Sequence, residues 1–273
     1  MMYMQDVNKI EVLKKPYNFP IDWGLKSINV PNAWKKTKGE GVKIAMIDTG
    51  ADIRHPDIKD KVSSTFNMID RNYDVTDGLG HGTHVAGLLV GERTGVAPLS
   101  ELHVVKVLKD DGTGSIGDVM DGINHSINIG ADVLNISLGI QYGIPLILKQ
   151  KIIQAYEAGI TIVCAVGNDG IDYPSRYPAS MDEVISVGGV DESLSLSNFT
   201  NRGYDVLAPS VGVISTYKDN GYAKLSGTSM ASPLVAGAIA LWISYNRSKG
   251  IHLKPYEIIN SLDGLIDLNK LIL

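Results

Sequence analysis

The sequence has little cysteine and no excess of positive charge. Its 273 residues include one cysteine, Cys164, so no internal disulfide can form and no cysteine cluster can bind zinc. Lysine and arginine number 25 against 30 aspartates and glutamates, and the net charge of −5 disfavours a broad basic surface for nucleic acid. No continuous run of about 18 apolar residues is present, so we expect no membrane-spanning helix. These absences favour a soluble protein of a reducing compartment.

The length and the N-terminal residues limit how many domains the chain can contain. Residues 1–15 alternate polar and apolar side chains and lack the apolar core of a signal peptide, which predicts a cytoplasmic location. Hydrophobic residues make up 44% of the chain, enough for the core of one large α/β domain. No repeat or low-complexity linker divides the sequence. We therefore predict an N-terminal extension over residues 1–20 and one domain over residues 21–273.

Short β-branched runs alternate with amphipathic stretches along the chain. The runs each end at glycine, asparagine or aspartate, and they cover residues 42–47, 102–108, 132–138, 160–166 and 184–187. Helical spacing covers residues 115–129 and 145–158, and residues 229–245 are apolar nearly all round, with Pro233 fitting the first turn. This order predicts an α/β fold, a doubly wound and mostly parallel sheet with helices on both faces. Such a sheet binds ligands at the carboxyl ends of its strands.

Four segments near those strand and helix ends have unusual composition. They are Asp48-Thr49-Gly50, His81-Gly82-Thr83-His84-Val85-Ala86-Gly87, Ala165-Val166-Gly167-Asn168-Asp169-Gly170 and Gly227-Thr228-Ser229-Met230-Ala231-Ser232-Pro233. Taken singly, each has a structural explanation: a capping aspartate, a core histidine, a turn asparagine and a helix N-cap serine. A metal site on the two histidines is disfavoured, because no glutamate lies between them and no third ligand is evident.

Together the four segments supply the parts of nucleophilic acyl transfer. A serine provides the nucleophile, a histidine accepts its proton, an aspartate fixes the imidazole tautomer and an amide N–H stabilises the oxyanion. Histidine suits the base because it titrates near neutral pH. The combination therefore favours acyl-transfer chemistry over four unrelated structural residues.

The Asp48, His81 and Ser229 segments resemble the three signature motifs of the subtilases. Their order of aspartate, histidine and serine is that of subtilisin, and the similarity extends from about Trp23 to about Tyr245. The resemblance implies a serine endopeptidase in which Asp48 orients His81, the base, and Ser229 attacks. It further implies that Asn168 and the Ser229 backbone N–H form the oxyanion hole.

The resemblance also implies a binding cleft for extended polypeptides. The segments expected to pair with substrate or to flank its side chains are Gly112, Thr113, Gly114 and Ile116 on one side and Ser137, Leu138 and Gly139 on the other. No cofactor is expected for the chemistry, and no nucleic acid or membrane is expected as a partner. A monomer and a homodimer both remain open, although only 44 residues follow Ser229.

Structural calcium is implied by the resemblance at one residue. Asp57 matches the position of a calcium-binding carboxylate in subtilases. However, only seven residues separate Gly87 from Gly95, where many relatives have a longer calcium-binding loop. A capping or solvated Asp57 is the alternative, and calcium bound elsewhere would be structural.

Two features depart from common subtilase patterns. The segment before Tyr177-Pro178 is short and places Arg176 near the expected base of the P1 pocket, where it either meets acidic or amide side chains or turns outward to solvent or to Asp172. Residues 12–17, Val-Leu-Lys-Lys-Pro-Tyr, resemble the inhibitory segment of intracellular subtilisins. An unstructured tail is the alternative for that segment.

Two other functions compete with the endopeptidase. A peptide-binding module could keep the fold without the chemistry, but it would not need Asp48, His81, Asn168 and Ser229 together. An esterase or peptide ligase could use the same residues, and the glycine-rich pairing segment favours peptides over simple esters.

Overall fold

The computed structural model describes residues 2–4, 9–14, 19–140, 143–172 and 176–272. Its strands are β1 Met2–Met4, β2 Lys9–Val12, β3 Lys43–Asp48, β4 Val62–Asn67, β5 Glu101–Lys106, β6 Thr113–Gly114, β7 Val133–Ile136, β8 Leu138–Gly139, β9 Thr161–Ala165, β10 Val184–Val190, β11 Val206–Pro209, β12 Val213–Tyr217 and β13 Gly221–Ser226. Its α-helices are α1 Trp23–Ser27, α2 Val30–Ala33, α3 His81–Val90, α4 Ile116–Asn128, α5 Leu146–Glu157, α6 Thr228–Arg247, α7 Pro255–Ile259 and α8 Leu268–Ile272, and Lys59–Lys61 forms a 3₁₀ turn.

Seven parallel strands form the central sheet, in the order β11-β10-β9-β7-β3-β5-β4. The predicted doubly wound parallel sheet with helices is therefore confirmed. Each of the five predicted runs overlaps a strand of this sheet. The two edge strands, β4 and β11, were not predicted. The sequence of β4, Val62–Asn67, is mostly polar and only Asn67 is buried.

Both faces of the sheet are covered by helices, and β3 shows how the sequence allows this. Ile44 and Met46 belong to the apolar core shared with α3 and α6, whereas Ala45 and Ile47 belong to the core shared with α4 and α5. Alternate side chains of a strand point to opposite faces. A strand covered on both faces must therefore be apolar throughout, which explains the near-continuous runs in the sequence.

Helix α6 is the central helix of one face. Among the described residues it is the one helix long and apolar enough to cross a membrane by length and composition, with a mean hydropathy of 1.3. However, 94% of its most apolar window is buried within the protein. Its apolar surface therefore packs in the core of the domain.

Two small antiparallel sheets border the main sheet, and the N-terminal residues contribute one strand to each. Strand β1 lies between β6 and β8, and strand β2 pairs with β13 of the β12–β13 hairpin. The sequence did not predict these pairings, because strands of three or four residues carry too little periodicity to recognise.

Candidate active site

Three neighbouring strands of the main sheet end at the candidate site. Asp48 is the last residue of β3, Ser137 follows β7, and Asn168 lies shortly after β9. The order β9-β7-β3 sets these three ends side by side. Ser229, near the N-terminus of α6, lies over the middle strand end, because its Oγ is 3.3 Å from the Ser137 carbonyl oxygen. The structure thus brings the predicted residues to the expected edge of the sheet.

Asp48 and His81 are paired in the protein interior. The Asp48 Oδ1 atom lies 2.7 Å from His81 Nδ1, and the two side chains are 0% and 2% exposed. His81 is the first residue of α3, and Asp48 Oδ1 also accepts the Thr49 N–H at 2.7 Å. His81 Nε2 is buried with no hydrogen-bond partner among the described residues. With Nδ1 held by the carboxylate, Nε2 is the nitrogen available to accept a proton.

The electrostatic surroundings favour the protonated form of His81. Burial is the largest single influence and lowers its pKa, but the charge and hydrogen bond of Asp48 and the charge of Asp77 outweigh it. The pKa of His81 is therefore raised above its ordinary value. By contrast, burial lowers the pKa of His84 to about 3. His84 Nε2 lies 3.1 Å from the Val213 carbonyl oxygen, which fits a structural histidine that stays neutral.

Ser229 is held by contacts with the strand beneath it. Its side chain is fully buried, and its Oγ donates to the Ser137 carbonyl. Pro233 is the sixth residue of α6, so its predicted place in the first turn was wrong. Since proline has no N–H, the Ser229 carbonyl lacks its usual donor four residues on, and Ser137 Oγ donates to that carbonyl at 3.4 Å instead.

Asn168 is oriented by the residue that precedes the serine. Its Oδ1 accepts from Thr228 N at 2.8 Å and from Thr228 Oγ1 at 2.9 Å. This fixes Nδ2 as the donor end of the amide. The Ser229 N–H lies at the second position of α6, where a backbone N–H has no acceptor within the helix. The two donors suit a developing oxyanion.

Asp77 joins the elements that carry the paired residues, and the sequence did not single it out. Its carboxylate accepts from Thr49 Oγ1 at 2.9 Å, from Gly80 N at 2.8 Å and from Thr83 N at 2.8 Å. It is 4% exposed. An aspartate before a helix is usually interpreted as a cap or turn residue. Only the fold shows that Asp77 also connects the turn after Asp48 to α3.

The comparisons with known proteins agree with this arrangement. The model of the subtilase family matches residues 39–263, most of the chain and all four segments of the site. The chain belongs to the subtilase family. The division predicted at residue 20 stays a prediction.

Several characterised subtilases are similar along most of their length. The Major intracellular serine protease of Bacillus subtilis (strain 168) is 40% identical over 240 residues, covering 81% of this chain and 75% of the relative. Thermitase of Thermoactinomyces vulgaris is 38% identical over 241 residues, covering 85% and 86%. The Intracellular serine protease of Paenibacillus polymyxa is 38% identical over 234 residues, covering 80% and 71%. The chain is a subtilisin-like serine endopeptidase.

The N-terminal strand β1 of this subtilase occupies the predicted substrate cleft. Met2 pairs with Gly114, and Tyr3 pairs with both Thr113 and Gly139. The two segments predicted to pair with substrate thus pair with the chain's own residues. Met2 is fully buried in an apolar cluster that includes Leu138, and Ile116, predicted to flank the cleft, packs against it.

The segment predicted to inhibit, residues 12–17, is described only at its start. Val12 ends β2 and pairs with Ala223, and the Leu13 N–H donates to the Tyr222 carbonyl. Residues 15–17 lie outside the described residues, so inhibition by this segment stays a prediction. Among the described N-terminal residues, Met2–Met4 are the ones that pair with the predicted cleft.

The surroundings of Asp57 do not fit a calcium site. One carboxylate oxygen accepts the Arg93 N–H at 3.3 Å, and the other lies 3.7 Å from Arg93 Nε. The Asp57 carbonyl accepts the Glu92 N–H. The short loop after α3 thus supplies a cation and N–H donors, where calcium needs oxygen ligands.

Arg176 pairs with a carboxylate, but not with the predicted one. Its Nε donates to Asp169 Oδ2 at 2.8 Å, and its Nη2 contacts Asp169 Oδ1. Asp172 instead lies 3.4 Å from Arg202 Nε. Of the alternatives given for Arg176, the turn towards Asp172 is therefore wrong, because the side chain, 18% exposed, pairs with Asp169.

Proposed function

We propose that the chain hydrolyses peptide bonds through an acyl-enzyme formed on Ser229. Ser229 Oγ attacks the peptide carbonyl carbon while its proton passes to His81 Nε2. The C–N bond then breaks as His81 returns that proton to the leaving amine. Water then attacks the carbonyl carbon of the ester while its proton passes to His81. His81 returns the proton to Ser229 Oγ as the C–O bond breaks, which gives the acid and restores Ser229. Asp48 holds the imidazole, and Asn168 with the Ser229 N–H binds the oxyanion.

The observation that carries this proposal is the state of His81. One ring nitrogen is 2.7 Å from a buried carboxylate, while the other is buried without a partner among the described residues. A buried polar atom without a hydrogen bond costs free energy, so it usually has a functional reason. A base awaiting the proton of a nucleophile supplies that reason.

We propose further that the N-terminal segment inhibits the protein. Strand β1 is the middle strand between β6 and β8, where a substrate strand would bind. Lys9 of β2 pairs with Ser226, three residues before Ser229. The described strands of the segment thus pair with the predicted cleft and with the strand that leads to the nucleophile, and Asp48, His81 and Ser229 are all buried.

Fluorophosphonate labelling of the chain that includes residues 1–20, mapped by mass spectrometry, tests both proposals. We expect a slow, single adduct on Ser229 and none in Ser229→Ala. Met2→Asp should increase the labelling rate at least about tenfold, because burying a carboxylate in an apolar cluster disfavours docking of β1. The matched control is Ile10→Asp, since Ile10 is 51% exposed on β2 and should leave the rate unchanged.

The outcomes separate the two proposals. If Met2→Asp labels Ser229 no faster than wild type, inhibition by β1 is rejected and catalysis stands. If no variant labels Ser229, the catalytic proposal fails and a peptide-binding module takes its place.

We propose that the protein acts inside the cell. Two similar relatives are named intracellular serine proteases, which supports this location. Cell fractionation of the source organism with an antibody against the chain tests it. Recovery of the protein from culture medium while a cytoplasmic marker stays in the cells would contradict the proposal.

A further inference from the structure

Asn201 is a fully buried residue between β10 and β11, outside the four segments of the site. Its own segment runs beside the loop of residues 166–171, which carries Asn168. Three main-chain hydrogen bonds join the two segments, from the N–H groups of Gly170, Asn201 and Arg202 to the carbonyls of Phe199, Gly167 and Ile171, at 2.8, 3.1 and 2.9 Å respectively. The loop of the proposed oxyanion residue is thus paired with a second stretch of chain.

The side-chain amide of Asn201 directs all of its hydrogen bonds to that loop. Its Nδ2 donates to the Val166 carbonyl at 3.1 Å and to Asp169 Oδ2 at 3.0 Å. Its Oδ1 accepts the N–H groups of Asp169 at 2.9 Å and of Ile171 at 3.4 Å. An amide has two N–H donors and two acceptor lone pairs, so every one of them is used. These contacts fall on both sides of Asn168.

Two glycines give the loop a backbone that needs such support. Gly167 and Gly170 have φ angles of +112° and +64°, in the left-handed region that glycine adopts readily. Their conformational freedom must be restrained if the residues between them are to hold one position. A Cβ on Gly167 would lie 2.4 Å from Asn201 Nδ2, so the amide fits closely against the loop. The contacts of Asn201 therefore select one conformation of residues 166–171.

Asn201 is itself fixed to the main sheet through the residue before it. The Thr200 hydroxyl donates to the Gly189 carbonyl at 3.2 Å and accepts the Gly189 N–H at 2.9 Å. Gly189 belongs to β10, which is the neighbour of β9. A strand of the sheet, rather than the glycine-containing loop, therefore sets the position of the amide.

The side chain and the main chain of Asn168 thus have separate supports. Thr228 holds the amide oxygen of Asn168, and its Oγ1 also accepts the Gly167 N–H at 3.2 Å. Asn201 holds the main chain before and after Asn168. An oxyanion donor must lie about 2.7–3.1 Å from the developing charge, so a displaced main chain would carry Nδ2 out of range. This step rests on the proposed function.

We propose that Asn201 is a positioning residue for the oxyanion donor Asn168. It acts by fixing the main chain from Val166 to Ile171, and loss of its amide lets that loop move. A misplaced donor stabilises the transition state less, whereas a substrate strand paired with β6 and β8 binds without this donor. The effect should therefore fall on kcat and spare KM.

Asn201→Ala, measured with one uncharged peptide, tests the proposal, in the Met2→Asp background if wild-type rates are too low. We expect kcat to fall at least about tenfold and KM to stay within about threefold, because small displacements of a catalytic group cost rate steeply. In an Asn168→Ala background the same substitution should lower kcat less than about threefold, since the donor that it positions is gone. Equal losses of kcat with and without Asn168 would show a structural role only and overturn the proposal.

Asn67 provides the matched control, because it is 3% exposed and its amide is bonded in the same pattern. Its Nδ2 donates to Asp70 Oδ2 and to the Asp74 carbonyl at 3.0 and 2.8 Å, and its Oδ1 accepts the N–H groups of Ile69 and Asp70 at 3.0 and 3.2 Å. Asn67 ends β4, which lies four strands from β9 in the sheet. Asn67→Ala should lose a similar free energy of unfolding in urea but keep kcat within about threefold. Equal losses of kcat in both variants would assign the effect to stability and contradict positioning.

A second variant serves if alanine at position 201 prevents folding. Asn201→Ser keeps a hydroxyl that can donate to one acceptor, and the same pattern is expected of it in the same cycle with Asn168→Ala. Hydrolysis with equal losses in both backgrounds rejects the role of Asn201 while the catalytic assignment stands. Absence of hydrolysis in the parent and in every variant, together with absence of fluorophosphonate labelling at Ser229, rejects the catalytic assignment and this inference with it.

Discussion

The hydroxyl of Ser229 donates to the main-chain carbonyl of Ser137, while His81 Nε2 has no partner among the described residues. The hydrogen bond between Asp48 and His81 is formed at 2.7 Å. Among the described residues, no hydrogen bond joins His81 Nε2 to Ser229. Strand β1 occupies the cleft in this state. In the proposed mechanism, Ser229 must turn from the carbonyl to the imidazole before it can react.

The first prediction concerns the pH dependence of the reaction. Because the raised pKa of His81 belongs to a base that works in its neutral form, activity should rise with pH through a pKa above the ordinary 6.5. A profile of kcat/KM against pH for an uncharged peptide measures this pKa. Half-maximal activity below pH 6.5 would contradict the assignment of Asp48 and Asp77 as the groups that outweigh burial.

Asp48→Asn should abolish most of the activity without unfolding the protein. The amide removes the charge that raises the pKa of His81, and it no longer selects the required imidazole tautomer. We expect kcat to fall by about 10⁴-fold, the loss typical of this change in serine proteases. Stopped assays of peptide hydrolysis, with circular dichroism as the folding control, measure it. A loss below about tenfold would show that Asp48 does not orient the base.

Asn168 should contribute to kcat and little to KM. Asn168→Ala removes one oxyanion donor, which costs about 10²–10³-fold in kcat. The variant also removes the acceptor for Thr228 N and Oγ1, so the matched control is Asn168→Asp, which keeps an acceptor oxygen there. If Asn168 only anchored Thr228, the aspartate variant would be active. We expect it to be at least as impaired as the alanine variant.

Asp77→Asn should change both stability and the pH profile. An amide can accept through one oxygen only. Its NH₂ group would therefore face either the Thr83 N–H and hydroxyl, which donate to Oδ2, or the Thr49 hydroxyl and the Gly80 N–H, which donate to Oδ1. We expect a loss of about 1–3 kcal/mol in the free energy of unfolding, measured in urea. The pKa of the kcat/KM profile should also fall, because the charge of Asp77 raises the pKa of His81.

The matched control for Asp77 lies in the same loop. Asp74 is exposed, and its carboxylate accepts the N–H and the hydroxyl of Thr76 at 2.9 and 2.6 Å. Asp74→Asn should leave the pKa of the profile unchanged. Equal shifts from both variants would indicate a general effect of net charge and contradict a specific role for Asp77.

The main sheet and the meeting of the site residues could be predicted because both depend on local patterns. Apolar runs such as the one ending at Asp48 follow from burial on both faces, and the parallel arrangement gathers their carboxyl ends. The partner of Arg176 could not be predicted, since Asp169 and Asp172 are both within reach in sequence. The occupant of the cleft depends on pairing between Met2 and Gly114, which are more than a hundred residues apart and have no periodicity to relate them.

The close approach of α3 to the turn after Asp48 supports a last prediction. A Cβ on Gly82 would lie 2.0 Å from the Gly50 carbonyl oxygen and 3.1 Å from Asp48 Oδ1. Gly82→Ala should therefore push α3 from the turn and lengthen the Asp48–His81 contact. We expect a loss of about 1–3 kcal/mol in the free energy of unfolding. Because misplaced groups lose catalytic power steeply, kcat should fall at least about 10²-fold.

Gly117→Ala separates this effect from the general cost of placing alanine at a helical glycine. A Cβ on Gly117, in the first turn of α4, would meet only Ser115 Oγ, at 3.6 Å, which is an ordinary contact. That variant should gain up to about 1 kcal/mol from the helix propensity of alanine and keep full activity. Urea unfolding and kcat/KM on the same peptide measure both variants. If Gly82→Ala kept wild-type kcat, α3 and the turn would have room to relax, and close packing there would not be what sets the geometry of Asp48 and His81.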